Sequence, residues 1–263
     1  MEKFGIDSVL MRELRTSKNA ETLARDVADL FVEIAFNYIQ KNGRFSVALS
    51  GGSTPKALYS LLAGEDYRSG LDWSRVFFYF GDERNVLPDD QRSNFRMADE
   101  TLFRPLRIEE ANVFRWKTEV AEPETVAAEY RQLLTELVDS KIADACVSTQ
   151  FPQFDLILLG LGADGHTASL FSDSKALHET DKSAVINWVS QMEELRFTIT
   201  FPVINNAANI AFLVSGEDKA STVSDVIEGE YRPNDLPAQR VQPDHGKLIW
   251  MLDDAAAALL TKD

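Results

Sequence analysis

Apolar positions along the chain alternate between helical spacing and short continuous runs. Between residues 19 and 41, Leu23, Val27, Leu30, Phe31, Ile34, Ala35 and Tyr38 recur with helical period; Ser17 or Asn19 is placed to cap the start, and Gly43 lies past the end. Apolar runs at 45–49, 75–80, 154–159, 184–189, 196–201, 209–214 and 248–252 read as strands. Helices are expected at 55–62, 123–140, 217–227 and 253–260, with polar or Pro-rich connections at 65–72 and 228–243. Strands that alternate with helices imply an α/β fold built on a mainly parallel sheet. No stretch is long or low-complexity enough for a linker, so residues 1–263 are expected to form one domain.

Three of the strand ends carry chemistry. The run from Phe154 to Leu159 stops in Gly160-Leu-Gly-Ala-Asp-Gly-His166, a turn that presents one histidine at the carboxyl end of a buried strand, where open α/β sheets bind ligands. After the strand at 45–49 comes Ser50-Gly51-Gly52-Ser53-Thr54-Pro55. Thr54 suits an N-cap and Pro55 a first helical position, and free N–H groups with three hydroxyls can surround a phosphate. The segment is neither a P-loop nor a dinucleotide fingerprint. The third loop, Gly81-Asp82-Glu83-Arg84 with Ser93-Asn94 downstream, offers carboxylates for sugar hydroxyls or for orienting a base, and a guanidinium for an anion. Arg196 at a strand boundary and Lys219 in an expected first helical turn, where the dipole disfavours a cation, complete a basic set.

Composition narrows the partners. With 27 Lys and Arg against 42 Asp and Glu, the net charge of −15 repels nucleic acid and anionic membranes. An anionic substrate would therefore need a local basic site. The charged opening Met1-Glu-Lys lacks the apolar core of a secretory signal and no run is long enough to span a membrane, so a cytoplasmic protein is expected, as a monomer or small homo-oligomer. Cys146 stands alone, and His178 and His245 read as solvated. Neither metal-ligand spacing nor a Gly-x-Ser-x-Gly elbow occurs, so no metal and no serine triad is expected.

Taken in order, Leu49-Ser-Gly-Gly-Ser-Thr-Pro55, Gly81-Asp-Glu-Arg84, the Leu159 to Phe171 segment, Arg196-Phe-Thr-Ile-Thr200 and Gly216-Glu-Asp-Lys219 resemble the 6-phosphogluconolactonase family. The resemblance implies the Rossmann-like fold shared with glucosamine-6-phosphate deaminase, a sheet with helices on both faces. It also implies cofactor-free hydrolysis of 6-phospho-D-glucono-1,5-lactone in the oxidative pentose phosphate pathway. A deaminase would continue Asp-Gly-His with Ile-Ala-Phe-Asn-Glu-Pro, where this chain has Thr167-Ala-Ser-Leu-Phe171, and would have tyrosine in place of Arg84. A non-catalytic sugar-phosphate-binding domain is the other alternative. The chain departs from the lactonase pattern at Leu87 and Ser172, where proline is common. Within this reading His166 is the general base, since a neutral imidazole suits proton removal from water near neutral pH. Asp164 orients it or contacts ligand, and Asp82 positions water or hydroxyls. Ser50, Gly51, Gly52, Ser53, Thr54, Arg196 and Lys219 hold the phosphate, while Arg84 serves phosphate or oxyanion.

Overall fold

The computed structural model describes residues 12–120, 122–142, 151–243 and 245–261, so Cys146 lies outside the described residues. Seven strands form a parallel sheet: β1 (Arg12–Ser17), β2 (Phe45–Leu49), β3 (Val76–Phe80), β5 (Val113–Phe114), β6 (Leu156–Leu159), β9 (Asn209–Val214) and β10 (Lys247–Asp253). A second sheet of β4 (Asp82–Arg84), β7 (Ala184–Val189) and β8 (Glu194–Ile199) is antiparallel. The spatial order is β1-β10-β9-β6-β2-β3-β5 in the first and β4-β8-β7 in the second. From β2 the chain progresses outward through β3 to β5, and from β6 it progresses the opposite way through β9 to β10. That reversal puts a topological switch point between β2 and β6, and a crevice outside their carboxyl ends.

Helices flank the parallel sheet. The helix Ala20–Asn42 buries Leu23, Val27, Leu30, Phe31 and Ile34, as the spacing predicts; the Asn19 side chain accepts from Thr22 N at 2.9 Å, and Gly43 closes the helix at φ 75°. The central strands are buried along their whole length, which is why β2, β6 and β9 read as mainly apolar runs, with Ser46 and Asn209 as their polar members. The helix Pro123–Ile142 packs against β7. Among the described residues no helix is long and apolar enough to cross a membrane.

Four expectations need correction. Residues 254–259, after Asp253 at the end of β10, form turns and not a helix. The Asp253 carboxylate accepts from Ser215 Oγ, Gly216 N and Ala256 N, which ties the turn to the end of β9. The helix after β2 runs Ser53–Leu62 with Gly52 at its N-cap, so Thr54 lies inside it. Residues 65–72, expected as a plain connection, contain a one-turn helix at Glu65–Arg68. The strand expected at 196–201 is Glu194–Ile199, and Phe201 instead begins a short helix, Phe201–Asn205.

Candidate active site

The carboxyl ends of β2 and β6 deliver the two Gly-rich loops side by side. Ser50 is pinned by Tyr59, whose hydroxyl donates to Ser50 O at 2.8 Å and accepts from Ser50 N at 3.0 Å. Burial pushes the Tyr59 phenol far up, so it stays protonated and fit for both roles. Gly51 has no room for a side chain, because a Cβ there would stand 2.0 Å from Asn94 Oδ1. In the β6 loop a Cβ on Gly162 would lie 2.1 Å from His166 Nδ1 and 2.5 Å from Asp164 Oδ1. The glycine therefore makes space for a side-chain pair as well as for the turn, whose positive φ of 77° falls on Gly165.

The His166–Asp164 pair is the tightest side-chain contact of the loop. His166 Nδ1 lies 2.5 Å from Asp164 Oδ1, and the imidazole stacks on Phe171 with ring centroids 3.9 Å apart. A carboxylate facing Nδ1 fixes the proton on that nitrogen and leaves the Nε2 lone pair available. Burial pushes the Asp164 carboxyl up, but the His166 hydrogen bond and charge outweigh it and hold the group below its ordinary range.

The small sheet supplies the opposite wall. Because side chains alternate across a strand, Asp82 and Arg84 share one face of β4, and Glu83 takes the other. Glu83 is buried and accepts from Arg84 N, Asn94 N and Phe95 N, each at 2.8 Å, and from Ser93 Oγ. Its carboxylate is taken up by the start of the next helix, and Glu83 is not among the residues that line the cavity beside Asp82. Desolvation raises its pKa against those hydrogen bonds. Asp82 accepts from Ser169 Oγ at 2.7 Å and from Asn94 Nδ2 at 3.3 Å.

Arg84 stands directly opposite Arg196 in the β4–β8 register. Like charges so placed repel, and a site that holds them together is built for an anion. Glu194 relieves part of the strain by accepting from Arg196 Nη2 and Arg92 Nη1, both at 2.8 Å, while Arg84 Nη1 donates to Arg92 O. The Nε atoms of both paired arginines are buried and without a hydrogen-bond partner among the described residues.

These groups meet in one cavity of about 290 Å³, lined by Ser50, Gly51, Gly52, Asp82, Arg84, His166, Arg196 and Lys219 with apolar residues between them. Eight of the sequence-derived site residues thus converge. Asp164 stands behind His166, and Ser53 and Thr54 sit in the helix beyond the rim. Lys219, expected within a helical turn, closes a 3-10 turn before the helix Ala220–Ile227 and keeps its ammonium 3.8 Å from Asp218. Sequence reasoning missed Asn94 and Ser169 as partners of Asp82, and Phe171 and Met192 as lining. Phe171 lay within the recognised motif, whereas Met192, in the β7–β8 hairpin, carried no local signal. Among the described residues no group of three or more His, Cys, Asp or Glu side chains could hold a metal ion.

Residues 18–250 match the family described as glucosamine-6-phosphate isomerases/6-phosphogluconolactonase. A 6-phosphogluconolactonase of Synechocystis is 39% identical over 218 residues, covering 83% of this chain and 85% of its own. Probable 6-phosphogluconolactonase 2 of Oryza sativa subsp. indica is 34% identical over 258 residues, covering 94% and 90%. Among solved structures, 6-phosphogluconolactonase from Trypanosoma brucei superposes with a TM-score of 0.81 at 27% identity, covering 95% of this chain and 99% of its own. A monomeric glucosamine-6-phosphate deaminase shares the fold, at 20% identity and a TM-score of 0.76. Matched by the family over residues 18–250 and by relatives of 34–39% identity over most of its length, the chain belongs to the glucosamine-6-phosphate isomerase/6-phosphogluconolactonase family.

Proposed function

We propose that this protein hydrolyses 6-phospho-D-glucono-1,5-lactone to 6-phosphogluconate. The observation that carries the reading is the His166–Asp164 pair, joined at 2.5 Å, in the same cavity as Arg84, Arg196 and Lys219. A base and three cations that line one cavity match an ester that also carries a phosphate. Phosphate binding fixes the lactone and turns attack by water into a step within one assembly. It also concentrates an anion that the net charge of −15 would otherwise repel.

His166 Nε2 takes a proton from water as the water oxygen bonds to C1. Asp164 stabilises the imidazolium that forms and keeps the ring oriented. The tetrahedral oxyanion collapses, the bond from C1 to the ring oxygen breaks, and the proton on Nε2 passes to the departing oxygen, which becomes the C5 hydroxyl. Asp82, held by Ser169 and Asn94, accepts sugar hydroxyls. The paired Arg84 and Arg196, with Lys219 and the N–H groups of the Gly51–Gly52 turn, hold the phosphate, and that pairing favours phosphate over the oxyanion as the partner of Arg84.

A coupled assay with freshly generated 6-phosphogluconolactone tests the reading. The protein should accelerate product formation well above the enzyme-free rate, and a rate equal to the spontaneous one overturns it. Asp82 is the one carboxylate among the residues lining the cavity, and residues 167–171 carry none, which speaks against the deaminase. Glucosamine 6-phosphate should yield no ammonia.

A further inference from the structure

The anion grip rests on two arginines that repel each other. Arg84 and Arg196 face one another across the β4–β8 register, so each pushes the other away before any anion arrives. Their Nε atoms are buried and make no hydrogen bond among the described residues, which leaves the orientation of both side chains to their terminal nitrogens. An arginine has many rotamers, and one that must be ordered at the moment of binding gives up part of its affinity for the anion.

A residue outside the cavity ties both of them. The carbonyl of Arg92 accepts from Arg84 Nη1, and the guanidinium of Arg92 donates to Glu194 Oε1 at 2.8 Å. The other oxygen of that carboxylate, Oε2, lies 2.8 Å from Arg196 Nη2. Arg92 is itself fixed, because the Asp90 carboxylate accepts from its backbone N at 2.8 Å and from its Nε at 3.3 Å. Ser93 N donates to Asp90 O at 3.0 Å, and the buried Ser93 side chain caps the helix Asn94–Ala98, so the Arg92 carbonyl is carried by an anchored turn. Neither Arg92 nor Glu194 lines the cavity, and their contacts reach a ligand only through Arg84 and Arg196.

On charge alone, a carboxylate against Arg196 works against an anionic ligand. As geometry it has a purpose: Glu194 offers one oxygen to Arg92 and the other to Arg196, and Arg92 returns its own carbonyl to Arg84, so the contacts close into a ring on the register pair. We infer that Glu194 and Arg92 are positioning residues for the anion grip, a clasp that holds Arg84 and Arg196 as an incoming phosphate meets them and so removes their ordering from the cost of binding. The inference rests on the lactonase reading for the identity of the ligand. Charge and geometry make opposite predictions for the loss of Glu194: the first tightens anion binding, and the second weakens it.

Calorimetric titration of the whole protein with 6-phosphogluconate, beside steady-state kinetics on 6-phosphogluconolactone, separates the two. Glu194→Gln removes the charge at nearly constant size and should weaken 6-phosphogluconate binding by about three- to tenfold, the range for ordering one rotamer-rich side chain. KM should rise by a similar factor while kcat falls much less. Glu194→Asp keeps the charge but shortens the reach, and should weaken binding too. Arg92→Ala should resemble Glu194→Gln, the double variant should be little worse than either, and Arg92→Lys, which retains a cation for Glu194, should recover part of the loss. Both side chains are partly exposed, so unfolding midpoints should stay near that of the wild type. Tighter binding by Glu194→Gln means that the carboxylate acts through charge and overturns the inference. Unchanged binding and KM in all variants, a loss of kcat at constant KM, or fully additive losses from the two residues overturn it as well. Glu194-dependent binding in a protein that fails to hydrolyse the lactone supports the clasp and removes the lactonase reading alone. Lactone hydrolysis with a KM indifferent to Glu194 does the reverse, and a wild type that neither binds nor hydrolyses removes both.

Discussion

The parallel sheet and the small antiparallel sheet contribute to the same cavity by different physical means. The parallel sheet is buried and apolar, and it acts through where its strands stop: Ser50 to Gly52 and His166 follow the ends of β2 and β6. The small sheet acts through what its strands carry, since Asp82, Arg84 and Arg196 are themselves strand residues. Chemistry is placed by strand termini in the first case and by side-chain alternation in the second. On the proposed function the base would answer to loop geometry and the anion grip to register.

Loss of the base should break the comparison most visibly. General-base catalysis is typically worth about a hundred- to ten-thousandfold, so His166→Asn should lose kcat on that scale while lactone binding largely persists. A folded variant with wild-type kcat would move the base to Asp82. The arginine pair should show the opposite signature. A hydrogen bond to a charged group contributes roughly 1.5–3 kcal/mol, so Arg84→Ala or Arg196→Ala should raise KM for the phosphorylated lactone by about ten- to a hundredfold. Unphosphorylated gluconolactone should be affected much less, and equal losses on both substrates would dissolve the division of labour between the sheets.

Gly51→Ala sharpens the boundary where the two sheets touch. Its Cβ would stand 2.0 Å from Asn94 Oδ1, and overpacking of this kind costs about 1–3 kcal/mol, measurable as a shift in the denaturation midpoint. Because Asn94 also donates to Asp82, activity should fall with stability. An unchanged midpoint would show that Asn94 moves freely. The smallest effect belongs to Asp164. Its carboxyl is held below the ordinary aspartate value of about 3.9, so its contribution is complete above that pH and is lost as pH falls through the folded value. The side chain is nearly half exposed, so the contribution to stability is under about 1 kcal/mol. Asp164→Asn should make acid unfolding slightly shallower, while kcat at neutral pH falls more than stability does. A steeper acid transition in the variant would contradict the assigned direction.

In both sheets the mainly apolar strands were legible in the sequence, and the polar or very short ones were not. Mainly apolar runs announce β2, β6, β7 and β9, and glycines mark the loops after β2, β6 and β9. In contrast, β4 is three charged residues, with no periodicity to read, and its pairing with β8 spans more than a hundred positions. The polar edge strand β1 and the two-residue β5 escaped for the same reason. The helix expected after Asp253 rested on an Ala- and Leu-rich composition, whereas the segment forms turns that the Asp253 carboxylate ties to Ser215 and Gly216. The chemistry of His166, Arg84 and Arg196 was visible as residue types; the Ser169 and Asn94 bonds to Asp82 became visible only once distant segments were brought together.

The β4–β8 register gives the anion grip a parity. Asp82, Arg84 and Arg196 face the cavity because they occupy positions of one sign along strands that alternate every residue. Insertion or deletion of a single residue in β4 would exchange Arg84 for Glu83, turning a cation outward and a carboxylate inward at the proposed phosphate position. Two-residue changes would restore the sign and displace the group by only one step along the strand. Substrate affinity in such length variants should therefore rise and fall with odd and even, so that a binding measurement reads out the counting of residues in a strand too short to recognise by its sequence.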